Sequence, residues 1–230
     1  MGGVKQTMCK RASRYFLPIF GALFISAAGA TQASAGVSPV WASIGVLGGV
    51  TGPDGDLGKY QWDPEAQTHW GVQAFVGLGR IALGLRGSTT GNKQSLEVPG
   101  TPAFSADVRL RSAEALLRLT ALNVAGVELY GFGGGGRLRI EYAPDHWNVQ
   151  IPGTNEVLAV DLNPIDGWIG TAGVGLRRGI FAGWGVGVEV DHHRFSLDTA
   201  HRLGDEVVTS EESFGEWTAR AELSWSLARF

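Results

Sequence analysis

Apolar and polar residues alternate with a period of two along most of the chain. In residues 213–229, Trp217 and Trp225 share one parity while Arg220 and Glu222 share the other. Successive side chains of a strand point to opposite faces, so this pattern predicts strands with one apolar and one polar face. Glycine recurs every few residues within the apolar stretches, which disfavours helices. The pattern therefore predicts an all-β fold.

Eight segments carry the alternation, and their connections differ in length. The predicted strands are 40–50, 68–78, 80–89, 105–121, 126–142, 167–177, 181–195 and 213–229. Long polar loops are predicted at 51–68, 89–104, 143–166 and 196–212, and short turns near Gly79, Asn123 and Arg178-Gly179. Long and short connections alternate, as they do in an up-and-down meander whose two kinds of connection lie at opposite ends. We therefore predict an eight-stranded antiparallel transmembrane β-barrel.

The polar faces of these strands carry a balanced set of charges. The predicted inward residues are Arg86, Arg118, Arg137, Arg139, Arg220, Glu114, Glu141, Glu189, Asp191 and Glu222. In 126–142, the same rule assigns Tyr130, Phe132, Leu138, Ile140 and Tyr142 to the lipid-facing side. An unpaired charge in a narrow lumen costs several kcal/mol, so the balance favours charges enclosed by a barrel in lipid. A soluble sandwich or lipocalin-like barrel, with these charges in water, is the alternative.

The tryptophans fall near the ends of the predicted strands. Trp70, Trp168 and Trp217 follow long loops, whereas Trp41, Trp184 and Trp225 lie near the end with short turns. Tryptophan is enriched at both interfaces of a membrane, so these positions predict an outer and an inner aromatic belt. The alternative is that these tryptophans belong to a protein core.

The first 35 residues have the organisation of a signal peptide. Four basic residues precede an apolar run at 15–30, and Ala33-Ser34-Ala35 supplies small residues for cleavage. We expect residues 1–35 to be removed and residues 36–230 to form the barrel. A signal anchor is the alternative. The single cysteine, Cys9, precedes the apolar run and so does not fit lipoprotein attachment.

Composition excludes several functional classes. The 230 residues include 19 Lys and Arg against 22 Asp and Glu, a formal charge of −3 that does not indicate nucleic-acid binding. One cysteine cannot form a disulfide scaffold or a cysteine-based zinc site. A hydrophobic content of 44% with eight tryptophans is not that of a disordered chain.

Taken together, these features resemble the small eight-stranded outer-membrane barrels of the OmpA/OmpX type. The resemblance covers residues 36–230 and is one of architecture, and it implies the outer membrane of a Gram-negative bacterium. The terminal Phe230 resembles the sorting signal that the barrel-assembly machinery reads on the last strand. Phe230 is out of phase with Trp225 and Leu227, and a bulge near Ala228-Arg229 would restore the phase. The resemblance also implies a monomer.

Two motifs invite a chemical interpretation. His192, His193 and Ser196 lie at the outer end of a predicted strand, where a lipid A acyl hydrolase would need a serine nucleophile and a histidine base. That family places its histidine and serine two residues apart, whereas His192 and Ser196 are four apart. The glycine run at 131–136 matches GxGxxG, but a nucleotide site needs this motif to open a helix. Here a strand continues, so the glycines are expected to provide space beside large side chains and to let the sheet bend.

The predicted outer loops are rich in carboxylates. These are Asp54, Asp56, Asp63, Glu65, Glu156, Asp161, Asp166, Asp205, Glu206, Glu211 and Glu212. They form either a solvated acidic surface or a site for Ca²⁺ and for lipopolysaccharide bridged by divalent ions. We expect a non-enzymatic surface barrel whose partners are outer-membrane lipids and lipopolysaccharide, and we assign no catalytic, cofactor or metal residues. The alternative is the acyl hydrolase at His192, His193 and Ser196. An eight-stranded barrel has room for its own side chains only and is not a general diffusion pore.

Overall fold

The fold is described by a computed structural model for residues 40–54, 62–96, 104–150, 153, 155, 157–203 and 206–229. The expected signal peptide and Phe230 lie outside these residues. Within the described ranges, no helix has the length and apolar character needed to cross a membrane.

Eight strands form a closed antiparallel barrel, and two further strands form a separate hairpin. The barrel strands are β1 (Val40–Pro53), β2 (Gln67–Leu78), β3 (Ile81–Leu96), β4 (Phe104–Val124), β5 (Val127–Ala143), β8 (Ile165–Gly179), β9 (Trp184–Leu203) and β10 (Glu206–Arg229). The hairpin strands are β6 (His146–Gln150) and β7 (Val157–Asp161). Each barrel strand pairs with the next barrel strand along the chain, and β1 pairs with β10 to close the barrel. The predicted eight-stranded up-and-down barrel is confirmed.

Apolar side chains cover the outside of the barrel and charged side chains lie within it. On β3, Leu83 and Leu85 are each 68% exposed, whereas the adjacent Arg86 is 2% exposed. The same arrangement holds on β9, where Val188 and Val190 are exposed and Glu189 between them is buried. The predicted faces of β3, β4, β9 and β10 are confirmed. An apolar exterior around a charged interior is the inverse of a soluble protein, so the barrel spans a membrane.

The predicted faces of β5 are wrong. Tyr130, Phe132, Leu138 and Ile140 are buried inside the barrel, whereas Arg137 and Arg139 are exposed outside it. Their neighbours explain this, because Gly173 and Gly175 of β8 lie directly opposite Phe132 and Tyr130. Glycine at these positions leaves inward space for both rings. The two ends of the interior are apolar, so a rule that places every apolar face in lipid fails there.

Paired strands extend well into three of the predicted loops. In the loop predicted at 89–104, residues 89–96 belong to β3 and pair with β4 as far as Leu96↔Phe104. β9 and β10 remain hydrogen-bonded from Ser196↔Ser213 to Leu203↔Glu206, across the predicted loop at 196–212. The predicted loop at 143–166 contains the β6–β7 hairpin, paired from His146↔Asp161 to Gln150↔Val157. Backbone hydrogen bonds extend these ladders without requiring an apolar face. The pattern of apolar residues therefore underestimates the strand lengths at this end.

The turns at the opposite end are short, and two of them are shifted along the chain. The turn at Gly79 is confirmed, with a φ of 58°. The turn predicted near Asn123 lies at Ala125 and Gly126, which both have positive φ. The turn predicted at Arg178-Gly179 instead occupies residues 180–183, where Ala182 and Gly183 have positive φ.

The pairing of β1 with β10 is irregular near the end of the chain. Ala42 pairs with Ala228 and Ser43 pairs with Ser226, so Leu227 is an extra residue on β10. This shift is a bulge next to the position where a bulge was expected. Phe230 lies beyond the described residues.

Replacing Gly175 by alanine should destabilise the barrel, because the added methyl group would overlap the ring of Tyr130. Overpacking of this kind typically costs about 1–3 kcal/mol. Gly179→Ala is the matched control on the same strand, since no atom lies within 4 Å of its added methyl group. Urea unfolding in detergent micelles measures both variants. Equal midpoints for the two would contradict the inward placement of Tyr130.

Candidate functional site

The middle of the barrel interior holds a cluster of two arginines and two carboxylates. Guanidinium nitrogens of Arg86 lie 2.6 Å from a carboxylate oxygen of Glu189 and 3.2 Å from one of Asp191. Arg220 lies 3.4 Å from Glu189 and is also paired with Asp191. All four side chains are fully or almost fully shielded from solvent. We refer to Arg86, Glu189, Asp191 and Arg220 as the central charge cluster.

Uncharged polar groups complete the central charge cluster. Gln73 Oε1 accepts hydrogen bonds from Nε and Nη2 of Arg86, at 3.0 and 2.7 Å. The hydroxyl of Tyr130 donates to Glu189 Oε1 at 2.8 Å. Nη1 of Arg220 lies 2.9 Å from Nε2 of His69, whose Nδ1 is 2.9 Å from the Thr90 hydroxyl. The charges are thus compensated by short, direct contacts from several strands.

Most of the predicted interior charges are confirmed. Buried residues are Arg86, Arg118, Arg220, Glu114, Glu189, Asp191 and Glu222, whereas Arg137 and Arg139 lie outside and Glu141 is half-buried. Glu216 is buried too, in keeping with the polar face predicted for 213–229, whereas the sequence interpretation did not include the buried His69, Gln73 and His193. His193 shares the parity of the predicted inward Glu189 and Asp191 on β9. His69 and Gln73 alternate with the exposed Trp70 and Val72 on β2, and this alternation was the available signal. Within the described part of the chain, Glu222 Oε2 accepts no hydrogen bond, and Arg220 is compensated across strands by Glu189 and Asp191.

An aromatic layer closes the interior at the short-turn end. Phe75, Tyr130 and Phe132 pack together there, with Trp41 against them. Trp41 points into the barrel, and its indole N–H donates to the Gly79 carbonyl at 3.2 Å. The prediction that Trp41 belongs to an interfacial belt is therefore wrong. The Arg118 guanidinium lies 3.6 Å from the centroid of the Tyr130 ring and forms a 3.1 Å ion pair with Glu128.

A second apolar cluster fills the interior at the long-loop end. Its buried members are Trp62, Val108, Leu110, Leu138, Ile140, Ile169, Phe195, Leu197 and Phe214. Trp62 comes from the connection between β1 and β2 and forms a β-bridge with Gln94. The interior is therefore layered, with charges in the middle and apolar side chains at both ends. This filling fits the narrow width of an eight-stranded barrel.

The five other predicted belt tryptophans are exposed on the outside of the barrel. Trp70, Trp168 and Trp217 lie towards the long-loop end. Trp184 and Trp225 lie near the short-turn end, with ring centroids 6.4 Å apart. Two aromatic belts therefore border the apolar wall, which is the arrangement expected at the two membrane interfaces.

The residues proposed for an acyl hydrolase are dispersed over both faces of β9. His193 points inward and its Nδ1 lies 3.0 Å from Glu216, whereas His192 points outward and its Nε2 lies 3.1 Å from Asp54. The Ser196 hydroxyl contacts the Ser213 hydroxyl at 3.4 Å. Among the described side chains, no hydrogen bond joins either histidine to Ser196. The structure does not assemble a nucleophile and base from these three residues.

Several loop carboxylates form ion pairs. Asp54 contacts His192, and Asp166 lies 3.6 Å from Arg139. Asp161 lies 2.5 Å from His146 across the β6–β7 hairpin, and this hydrogen bond raises the pKa of the His146 imidazole. Among the described residues there is no group of three metal-ligating side chains. Asp56, Glu156 and Asp205 lie outside the described residues, as do the side chains of Glu206, Glu211 and Glu212.

The glycine run at 131–136 lies inside β5, as the sequence predicts. A Cβ atom at Gly134 or Gly136 would collide with the β4 backbone at Ala115 or Ala113. The glycines therefore permit a close approach of two strands. The GxGxxG match continues as strand and does not open a helix.

Five arginines form a group on the outside of the barrel towards the long-loop end. They are Arg109 and Arg111 on β4, Arg137 and Arg139 on β5, and Arg194 on β9, and all are exposed. We call them the exterior arginine patch. The sequence interpretation missed it by assigning Arg137 and Arg139 to the lumen. The available signal was that Arg109 and Arg111 share the parity of the lipid-facing Ala113 and Ala115.

The chain is similar to several solved structures of bacterial surface and outer-membrane proteins. Neisserial surface protein A is 11% identical, with 83% of this chain and 98% of that chain covered and a TM-score of 0.46. OprG of Pseudomonas aeruginosa is 10% identical, with 83% of this chain and 97% of that chain covered and a TM-score of 0.43. Ail of Yersinia pestis is 16% identical, with 83% of this chain and 100% of that chain covered and a TM-score of 0.39. No family model matches the sequence, and no curated protein matches it either. The closed eight-stranded barrel of this chain has the architecture that the sequence resemblance implied.

Replacing Arg220 by leucine should destabilise the barrel strongly, because Glu189 and Asp191 would then share Arg86 alone. Breaking a buried pair typically costs about 3–5 kcal/mol. Arg178→Leu, at an exposed position on β8, should cost less than about 1 kcal/mol.

The double variant Arg220→Leu with Asp191→Leu tests the cause of that loss. It removes one charge of each sign and leaves Arg86 with Glu189, so it should be more stable than Arg220→Leu alone. Urea unfolding in micelles measures all three variants. A double variant no more stable than the single one would show that charge compensation is not the reason.

Proposed function

We propose that this protein is a non-enzymatic outer-membrane surface barrel whose long connections contact lipopolysaccharide or an external partner. The layered filling of the interior carries this proposal. Charges in the middle and apolar clusters at both ends occupy the space that a diffusion pore would need. The exposed surfaces left for function are the outer wall and the long connections.

The orientation of the barrel follows from export. On this proposal residues 1–35 are a signal peptide that delivers the chain to the periplasm. An even number of strands returns both ends of the barrel to the same side. The short turns at Gly79, Gly126 and Gly183 then face the periplasm, and the extended β9–β10 ladder and the β6–β7 hairpin face the exterior.

Assembly and oligomeric state complete the proposal. The last strand, β10, is the element that the barrel-assembly machinery would engage. Closure of β10 onto β1 leaves no unpaired barrel edge for a second copy to extend, which supports a monomer. Exposed apolar residues on every side of the wall are accounted for by lipid.

The orientation is tested by epitope tags on intact cells. A tag inserted at Gly153, in the connection between β6 and β7, should be accessible to antibody. A tag at Gly126, in a short turn, should be accessible only after the outer membrane is permeabilised. Both insertions fall in exposed turns, so folding should be preserved. Labelling of the Gly126 tag on intact cells would invert the topology.

The non-enzymatic assignment is tested by the lipid A composition of cells with and without the protein. The acyl-chain profile should be the same in both, because His192 and Ser196 form hydrogen bonds to other residues. Mass spectrometry of extracted lipid A measures the profile, and the Ser196→Ala variant is the matched control. A deacylated species that depends on Ser196 would establish the hydrolase instead.

A further inference from the structure

The exterior arginine patch has more positive than negative charge. Glu141 is shared by Arg111 and Arg139, whose guanidinium nitrogens lie 3.4 and 3.3 Å from its oxygens. Asp166 adds one contact to Arg139, at 3.6 Å. Among the side chains that the structure describes, two carboxylates lie within ion-pair distance of these five arginines, so the patch has more guanidinium groups than paired carboxylates.

The backbone register forces like charges together in the patch. Arg111 on β4 lies directly opposite Arg139 on β5. Like charges at directly opposed positions of an antiparallel pair are destabilising. In the described part of the chain, Arg109 and Arg194 contact no acidic side chain within ion-pair distance. An anion bound between these side chains would relieve the repulsion.

Arg137 lies at the border between the apolar wall and the rest of the patch. Its guanidinium is 4.5 Å from the centroid of the exposed Trp168 ring on β8. Stacking on an aromatic face orients the guanidinium plane and leaves its N–H groups free to donate. Among the described residues, Arg137 forms no ion pair.

The patch lies at the height of lipid headgroups. On β8, the outward residues between Trp168 and Arg178 are uncharged: Gly170, Ala172, Val174 and Leu176. At about 3.3 Å per residue and a tilt of about 40°, this stretch is about 25 Å tall, the usual height of the apolar band. Arg137 is paired with Trp168, and Arg139 lies two pairs further towards the long-loop end. The guanidinium groups of Arg137 and Arg139 therefore lie where the acyl chains end.

We propose that the exterior arginine patch binds the phosphate groups of a phosphorylated glycolipid, lipid A, in the outer leaflet. This inference rests on the proposed function, since the long-loop end must face the leaflet that contains lipid A. Arginine binds phosphate through paired N–H donors, which suits neighbouring guanidinium groups that lack enough carboxylates. The apolar wall below Trp168 contacts the acyl chains of the same lipid. A lipid is therefore favoured over a soluble anion.

Binding is measured with the folded full-length barrel in uncharged detergent micelles. Native mass spectrometry records lipid A bound to the wild type and to the variant Arg111→Gln/Arg139→Gln. The matched control is Arg80→Gln/Arg178→Gln, which removes two exposed arginines near the short-turn end. The apparent Kd for lipid A should rise at least tenfold in the patch variant and stay unchanged in the control. Heat-modifiable gel mobility verifies that each variant is folded.

Two further ligands separate phosphate recognition from other modes of binding. Dephosphorylated lipid A, with the same acyl chains, should bind the wild type as weakly as lipid A binds the patch variant. Inorganic phosphate at millimolar concentration should leave lipid A binding unchanged, because it makes no acyl contacts. Equal Kd values for the wild type and the patch variant would overturn the proposal. Equal binding of the phosphorylated and dephosphorylated lipids, or displacement by inorganic phosphate, would overturn it as well.

The micelle experiment is independent of orientation in the cell. An inverted topology in the epitope-tag experiment removes the proposed function but leaves lipid binding in micelles intact. Loss of lipid A selectivity in micelles removes the arginine-patch proposal while the surface topology stands. The two failures are therefore distinguishable.

Discussion

The fold depends on compensating charges that have no access to lipid or to bulk water. Arg86 and Arg220 lie against Glu189 and Asp191 in the middle of the barrel, and their contacts come from strands on different sides of the interior. An isolated charge there would be very unfavourable, whereas a balanced and hydrogen-bonded group is tolerated. Because β2, β3, β9 and β10 all contribute, the network ties together strands that are far apart in the chain.

The apolar layers at both ends of the interior follow from the same constraint. Phe75 and Phe132 close one end, and Phe195 and Phe214 belong to the cluster at the other. Keeping water away from the central charges strengthens their attraction. On the proposed function, the filled lumen does not serve transport, and the outer wall and the long connections make the functional contacts. The exterior arginine patch lies on that outer wall.

Much of the fold was predictable because lipid imposes a simple rule on each strand. The alternation predicts that Val188 and Val190 face outward and that Glu189 faces inward, and the structure confirms this. The rule failed on β5, where Tyr130 faces the interior and Arg139 the exterior. Hydrophobicity does not distinguish a lipid-facing residue from one in an apolar interior layer. The lengths of β9 and β10 were also missed, since backbone pairing does not need an apolar face.

The sequence by itself determined the number of barrel strands, their antiparallel order and most of their faces, because a period of two and alternating connections are local properties. Only the tertiary structure decided which charges meet. Arg220 is paired with Asp191 of β9, not with Glu222 of its own strand, and Arg111 lies opposite Arg139. These contacts depend on the register between strands, and register is fixed when the barrel closes. The central charge cluster and the exterior arginine patch are both products of that closure.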